Sequence, residues 1–360
     1  MVNSPRHIPV RTLFSRPSSS RTTFPTLLSY WRKLLPRPSI LVSICWKGAV
    51  KTSISGPNLR LGYELNEIIA KLLKLRQVAI ANDPEAVAVD AAHGVAFHQG
   101  LGETITPSAH APYEKNLSAE AIAEFAKNAY AKSNIALVGS GVSSAELSKW
   151  VGDFFKGLPN AGTTGRYQVK SDSASKYYGG EQRISTKAGN SVVIAFPGTS
   201  AFGTSSYKPA ASVLAALLGG ESSIKWSPGF SLLGQATQGF SQLRVSTKNH
   251  AYSDAGLLTV TLSGKADQVA SAGKTVVDAL KKAAAGEVPA DDIKKATAFA
   301  KFQALESAQT LATGLEATGS ALINGSKPYQ IGEVAQSVDS VTETQVKDVS
   351  STYLTFGMSG

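Results

Sequence analysis

The residues best suited to chemistry in this sequence are its five histidines, and their spacing restricts what they can do. No two of them lie four positions apart, so the helical zinc motifs His-Glu-x-x-His and His-x-x-Glu-His are both absent. His93 and His98 are five positions apart and would point about 140° away from each other on a helix. We therefore predict packing or solvent contact for all five, and no catalytic residue, cofactor-binding residue or metal ligand in the chain: His7, His93, His98, His110 and His250.

The single cysteine and the glycine-rich segments also supply no reaction centre. Cys45 is the only cysteine, so the residues after it cannot form disulfides, zinc–thiolate sites or a cysteine nucleophile. Residues 138–141, Val-Gly-Ser-Gly, lack the third glycine of a dinucleotide-binding turn because Ser144 stands there, and we interpret them as a strand-to-helix turn. Residues 219–229 lack the Gly-Lys-Ser/Thr ending of a phosphate-binding loop and predict a flexible surface loop.

All of the excess positive charge lies in the first sixty residues. This segment holds ten Lys or Arg and no acid, and the first carboxylate is Glu64. The chain has 36 Lys or Arg and 26 Asp or Glu, so residues 61–360 hold 26 of each and are neutral. Without a basic patch on the folded part, nucleic-acid binding is excluded.

The basic arm has the composition of a targeting segment. It is rich in Arg and Ser, alternates basic with apolar residues and contains no acid, as mitochondrial transit segments do. A disordered basic tail is the alternative, and the prolines at positions 5, 9, 17, 25, 36 and 38 interrupt any long helix. The apolar residues 40–45 are too few to span a bilayer, which needs about 20. We expect a soluble or peripheral protein without a transmembrane helix.

Periodicity and capping residues predict an α+β fold. Capping residues open several of the predicted helices: Asp83, Ser118, Ser143 with Glu146, and Thr342 with Gln345. Helices are predicted near residues 64–75, 83–98, 119–131, 143–155, 206–218, 230–238, 310–323 and 343–353, with two more striped by Val269, Ala272, Val276 and Leu280 and by Ile293, Ala296, Phe299 and Ala300. Strands are predicted at residues 134–138, 182–186, 191–196, 242–247 and 257–262.

Several short motifs occur in an order that resembles the insulinase/pitrilysin-type metallopeptidases over about residues 62–356. They are residues 83–97 with the Gly-Leu-Gly at 100–102, and residues 117–120, 134–138, 218–220, 252–258 and 341–342. The resemblance implies two homologous α/β halves around a cavity, each a mixed sheet backed by helices. Active members bind zinc through His-x-x-Glu-His and a downstream Glu; here the histidine pair is absent and residues 76–79 hold no carboxylate. Metal-assisted hydrolysis is therefore not expected, and the chain is predicted not to be an enzyme.

Within this family the chain resembles the fungal members that serve as non-catalytic core subunits of respiratory complex III. That resemblance implies the matrix side of the mitochondrial inner membrane, no cofactor, and partners in the other core subunit and the remaining subunits of the complex. The alternative is the glycine-loop, non-zinc subunit of the mitochondrial processing peptidase, which should present acids near that loop. Glu221 is the only acid there. An independent zinc peptidase is excluded for lack of ligands.

The first half of the family pattern is incomplete in this sequence. Residues 134–138 are the only strand predicted before residue 160, although helices with apolar stripes need a sheet to cover. We predict a basic arm at 1–60, a truncated first half at 61–160, a linker at 161–180 and a complete or nearly complete second half at 181–360. At the end of the chain, residues 354–356 are the only candidate for a final strand.

Overall fold

The computed structural model describes residues 75, 77–104, 129–132, 135–160, 175–220, 229–323 and 328–356. These residues fall into two compact units. The first contains the described residues from 79 to 104 and from 175 to 356, and the second contains residues 75, 77 and 78 and those between 129 and 160. This division reflects compactness and does not define where two homologous halves would begin or end. The predicted domain boundaries therefore stay a prediction. The predicted helices at 64–75 and 119–131 lie almost wholly outside the described residues.

The first unit is built on a three-stranded antiparallel sheet. Its strands are β1 (Asn190–Pro197), β2 (Leu243–Ala251) and β3 (Gly256–Gly264), in the order β1-β3-β2. In β3, Leu and Val alternate with Thr, which puts apolar side chains on one face and hydroxyls on the other. The register places Ile194 opposite Val260 and Val245 opposite Leu262 on the apolar face. The predicted strands at 191–196, 242–247 and 257–262 are confirmed, and no parallel pair occurs among the described strands.

Two predicted strands are wrong. Described residues 135–138 form no strand. Ile135 and Leu137 instead pack against Phe155 and Leu158, so their alternating apolar side chains are partly buried without a partner strand. Residues 182–186 are also irregular. Ile184 is their only large apolar side chain and it is exposed, so no burial of this segment against the sheet stabilises a ladder.

Helices cover the apolar face of the sheet. They surround the largest core cluster, which includes Phe196, Leu258, Val260 and Leu262. The helices of the first unit that follow β1 in the chain are α3 (Pro209–Leu218), α4 (Leu232–Ala236), α5 (Ala266–Ala284), α6 (Ala290–Ser307), α7 (Leu311–Ile323), α8 (Ile331–Asp339) and α9 (Glu343–Phe356).

Local sequence explains most of these helices. Pro209 begins α3, a mostly apolar helix whose Ala and Leu side chains are nearly all buried. The predicted stripe of α5 is confirmed, since Val269, Ala272, Val276 and Leu280 are all buried. Before α9, the predicted capping box forms: Thr342 N donates to Gln345 Oε1 at 3.0 Å, and Gln345 N donates to Thr342 Oγ1 at 3.4 Å.

Three details differ from the sequence predictions. Phe299 does not belong to the buried stripe of α6; it is 37% exposed and meets Phe230 edge-on at 5.8 Å. The predicted strand at 354–356 is the last turn of α9, and Leu354 is fully buried in the helical core. Helix α8 was not predicted, because it is short and Gly332 interrupts its pattern.

One helix covers the hydroxyl-bearing face of the sheet. Helix α1 (Pro84–Phe97) is capped as predicted: Asp83 Oδ1 accepts from Glu85 N and Ala86 N, both at 3.1 Å. A 3-10 turn at Gly100–Gly102 follows it. Its Ala96 and Phe97 pack with Leu257 in a small buried cluster. Residues 175–180, the connecting segment, cross its end: Tyr178 N donates to Ala96 O at 2.8 Å, and Tyr177 Oη donates to Ala195 O at 3.1 Å.

The second unit contains helix α2 (Ser144–Phe154). Its predicted cap is confirmed, since Glu146 N donates to Ser143 Oγ at 3.3 Å. Phe155 and Leu158 form its buried cluster together with Tyr130 and Trp150.

Candidate functional site

Two histidines from distant parts of the chain meet beside the sheet. His93 lies in α1 and is 8% exposed, and His250 lies near the end of β2; their ring centroids are 5.2 Å apart. Tyr252 and Thr259 complete the group, which we call the His–Tyr cluster. His98 is exposed and faces Tyr178 instead, so solvent contact is confirmed for it. His7 and His110 lie outside the described residues.

Hydrogen bonds fix the tautomer of the neutral His93 ring. Its Nδ1 lies 2.7 Å from Val89 O, which can only accept, so Nδ1 carries a proton. Its Nε2 lies 2.7 Å from Tyr252 Oη. In the neutral ring Nε2 therefore accepts from the phenol, and Tyr252 is the donor. Burial raises the pKa of Tyr252 to about 12, so the phenol keeps this proton at neutral pH.

His250 is held neutral by its surroundings. Thr259 Oγ1 donates to Lys248 O at 3.3 Å and so accepts from His250 Nε2 at 3.1 Å. Burial, the nearby His93 ring and the Lys248 ammonium lower the pKa of His250 from 6.5 to about 4. At neutral pH His250 is therefore an uncharged member of the hydrogen-bonded His–Tyr cluster.

This arrangement is suited to packing rather than to catalysis. A general base works best with a pKa near the working pH, and His250 lies well below it. A catalytic zinc needs three protein ligands and an open position, whereas the described part of the chain gathers no three His, Cys, Asp or Glu side chains into a metal-capable group. That the chain has no catalytic, cofactor or metal residue stays a prediction, because parts of it are not described.

The glycine motifs have structural explanations where they are described. Gly141 has a φ of +78° and forms the turn before the cap of α2, without a strand ahead of it. At the start of the 219–229 loop, a Cβ on Gly220 would lie 2.2 Å from Val245 O, so glycine permits close contact with β2. Residues 221–228, including Glu221, lie outside the described residues.

A groove of about 490 Å³ lies between α1, residues 177–186 and β1. Its floor consists of small apolar side chains, among them Val87, Ala91 and Val95. Glu181 and Arg183 on its rim pair with each other at 2.5 Å. The groove therefore presents little free charge and no cluster of titratable groups among its lining residues.

Sequence reasoning missed the meeting of His93 with His250. One signal was present: His93 shares the buried stripe of α1 with Ala96 and Phe97, so its ring had to face a neighbouring element. Which element it faces depends on how α1 crosses the sheet, and periodicity along one chain cannot supply that.

Comparison with known proteins identifies the family. Residues 116–298, just over half of the chain, match the family described as Peptidase M16 inactive domain. The chain is 43% identical over 285 residues to cytochrome b-c1 complex subunit 2 of Neurospora crassa, covering 79% of this chain and 61% of that protein. The same subunit of Yarrowia lipolytica is 34% identical, over 73% of this chain and 59% of that protein. A mitochondrial-processing peptidase subunit alpha-2 of Dictyostelium discoideum is 28% identical, over 79% and 62% respectively.

The fold has a counterpart among solved structures. A chain of complex III2 from Candida albicans, solved with Inz-5 bound, matches 93% of this chain and 75% of its own length, with a TM-score of 0.67 and 13% sequence identity. The predicted α+β class is confirmed. Against the curated relatives, the chain spans about three fifths of their length.

No helix in the described ranges is long and apolar enough to cross a bilayer. Family membership rests on the match across residues 116–298 and on the similarity to fungal subunits 2. This chain belongs to the insulinase-like M16 peptidase family, through the domain described as inactive, as the order of its motifs predicted.

Proposed function

We propose that this chain is a non-catalytic core subunit of the mitochondrial ubiquinol–cytochrome c reductase, complex III. The observation that carries the proposal is its 43% identity over 285 residues to the b-c1 subunit 2 of Neurospora crassa. In this role the chain acts as a scaffold on the matrix side of the inner membrane. It pairs with the other core subunit, supports the remaining subunits, and itself holds no cofactor.

The absence of the zinc motif supports a scaffold over a peptidase. Neither arrangement of two histidines four apart exists in the sequence. His93, the histidine in α1, is bonded at both ring nitrogens, so the neutral ring has no free lone pair for a metal. We expect less than stoichiometric zinc in the purified protein by plasma mass spectrometry; one tightly bound zinc per chain would contradict the proposal.

The domain assignment belongs to the same proposal. Residues 1–60 serve as the mitochondrial targeting arm, residues 61–160 as a shortened first half, 161–180 as a linker and 181–360 as the second half. The neutral charge of residues 61–360 beside a purely basic arm supports the targeting role. Isolated mitochondria should import the full chain, and a variant with the arginines of the arm replaced by glutamine should stay outside.

Native gel electrophoresis tests the scaffold function. An epitope-tagged full-length chain is expressed in a fungal strain that lacks its own subunit 2, and mitochondrial complexes are separated under native conditions. We expect the tag to migrate with cytochrome b. As a control, Val276→Asp with Leu280→Asp disrupts the buried stripe of α5 and should abolish co-migration. Migration of the intact chain as a lone monomer would refute the proposal.

A second candidate is the non-zinc subunit of the mitochondrial processing peptidase. The similarity to the Dictyostelium subunit alpha-2 favours it, though at a lower identity of 28%. Such a subunit presents basic presequence peptides. Saturable binding of a fluorescent presequence peptide to the purified chain would favour this candidate over the core subunit. The control is a peptide of the same length in which the basic residues are replaced by acidic ones, and it should not bind.

A further inference from the structure

Helix α1 packs on the sheet with few fully buried apolar side chains. Its fully buried apolar cluster consists of Ala96, Phe97 and Leu257, with the partly buried Leu101, Tyr177, Ala195 and Ala255 packed around it. The opposite face of the same sheet is covered by the large helical core. Local opening favours elements that bury little apolar surface, so α1 is open to detachment from the sheet without unfolding of the large core.

The remaining attachment is polar and includes a hydrogen bond between two side-chain rings. The bond from Tyr252 to His93 joins α1 to the turn after β2. The connecting segment adds a second link, because Ser175 N and Oγ both donate to Asp254 Oδ2 at 2.9 Å and Tyr178 N reaches Ala96 O.

A proton on the His–Tyr cluster meets no compensating charge. Around His250 lie His93 from α1, Lys248 on its own strand, Tyr252 beyond the strand end and the hydroxyl of Thr259 from β3. None of these described neighbours is a carboxylate. Protonating His250 therefore places a charge beside a second imidazole and an ammonium group, in a site that α1 shields from water.

We propose that the His–Tyr cluster is an acid-sensitive latch, which holds α1 on the sheet while His250 is neutral and releases it when His250 is protonated. Release moves α1 away from the hydroxyl-bearing face of β3 and exposes His250 to water. The helical core on the other face has no part in this contact and stays folded.

The size of the effect follows from proton linkage. His250 has its ordinary pKa of 6.5 when α1 is detached and a pKa of about 4 when α1 is docked. Between pH 7.5 and pH 5.0 the equilibrium for detaching α1 therefore rises about 30-fold.

Hydrogen exchange of the full chain measures this directly. Peptides from α1 and from α5 are followed by mass spectrometry at both pH values, with rates corrected for the intrinsic pH dependence of exchange. We expect α1 to exchange about 30-fold faster at pH 5.0, in line with the linkage, while α5 is unchanged. His250→Gln removes the titrating ring and keeps an amide that can donate to Thr259, so the acid effect should disappear. His98→Gln, at the exposed histidine just after α1, is the matched control and should keep the full acid effect.

Each outcome decides the matter. Protection of α1 that does not change with pH, or an acid effect that persists in His250→Gln, overturns the proposal. Equal loss of protection in α1 and α5 also overturns it, because that pattern is global unfolding. If His250→Gln does not fold, nuclear magnetic resonance of isotope-labelled histidine in the unmodified chain replaces it. The His250 ring must then titrate together with α1 exchange, and titration with α1 still protected refutes the latch.

Discussion

Replacing Gly256 by alanine tests a very close backbone approach at the start of β3. A Cβ added there would lie 2.0 Å from Thr199 O and 2.5 Å from Thr199 C. These are main-chain atoms, so no side-chain rotation relieves the clash. The first residue of β3 and the loop after β1 must therefore move apart.

The cost can be worked out from the bonds that this movement breaks. Gly198 N donates to Gly256 O, and Ala201 N donates to Tyr252 O, both at 2.8 Å. Each such bond contributes about 0.5–1.5 kcal/mol, and buried groups left without a partner cost more. Thr199 is 1% exposed, so water does not reach it to compensate. We expect Gly256→Ala to lower the free energy of unfolding by about 2–4 kcal/mol.

Urea unfolding followed by far-ultraviolet circular dichroism measures the change. Gly273→Ala is the control: Gly273 lies in α5 with no atom within 4 Å of its added Cβ, so alanine should stabilise the chain by about 0.8–1 kcal/mol. The two substitutions add the same methyl group and should act in opposite directions. A Gly256→Ala protein within about 0.5 kcal/mol of the unmodified chain would refute the described approach of Thr199 to β3.

Three further predictions concern the core and the His–Tyr cluster. Because burial lowers the pKa of His250 from 6.5 to about 4, its contribution to stability is complete above pH 6.5 and is lost as the pH falls toward 4. The free energy of unfolding, measured by urea titration across this window, should fall by up to about 3 kcal/mol, and a fall of less than about 1 kcal/mol would contradict the prediction. Leu280→Ala, at a fully buried position, should cost about 2–5 kcal/mol, whereas Leu305→Ala on the exposed side of α6 should stay within about 0.5 kcal/mol; equal effects would mean that α5 is not buried as described. Tyr252→Phe leaves His93 Nε2 buried without its donor and should cost about 1–3 kcal/mol in thermal unfolding, against almost nothing for Tyr178→Phe, whose ring is 54% exposed; a neutral Tyr252→Phe would rule out the bond.

Sequence pattern predicted the elements that carry their own local signals. The stripe of α5 repeats every three to four residues, and the Leu–Thr alternation of β3 repeats every two, so burial on one face was readable. The caps Asp83 and Thr342 marked helix starts because their side chains bond to backbone groups only a few residues away.

The failures share a physical cause, which is that the partner lies far along the chain. Residues 135–138 alternate as a strand does, yet their neighbours are Phe155 and Leu158 rather than another strand. Leu354 is apolar and could lie in a buried strand or a buried helix. It lies in a helix because its neighbours in the fold are the other core helices. The meeting of His93 with His250 joins positions 157 residues apart, and it depends on the crossing of α1 over the sheet.

The central strand β3 sets the register of both of its neighbours in the sheet. Each outer strand pairs with β3 and with no other described strand, so no second strand fixes the register of either one. Inserting a single residue between Leu258 and Thr259 would turn Val260 and Leu262 toward α1 and Thr259 and Thr261 toward the helical core, so the apolar and hydroxyl-bearing sides of the rest of the strand would be exchanged. The same insertion in the turn at residues 285–289, which joins α5 to α6, displaces no strand. An inserted residue should therefore be tolerated in the turn at residues 285–289 and should prevent folding when it lies inside β3.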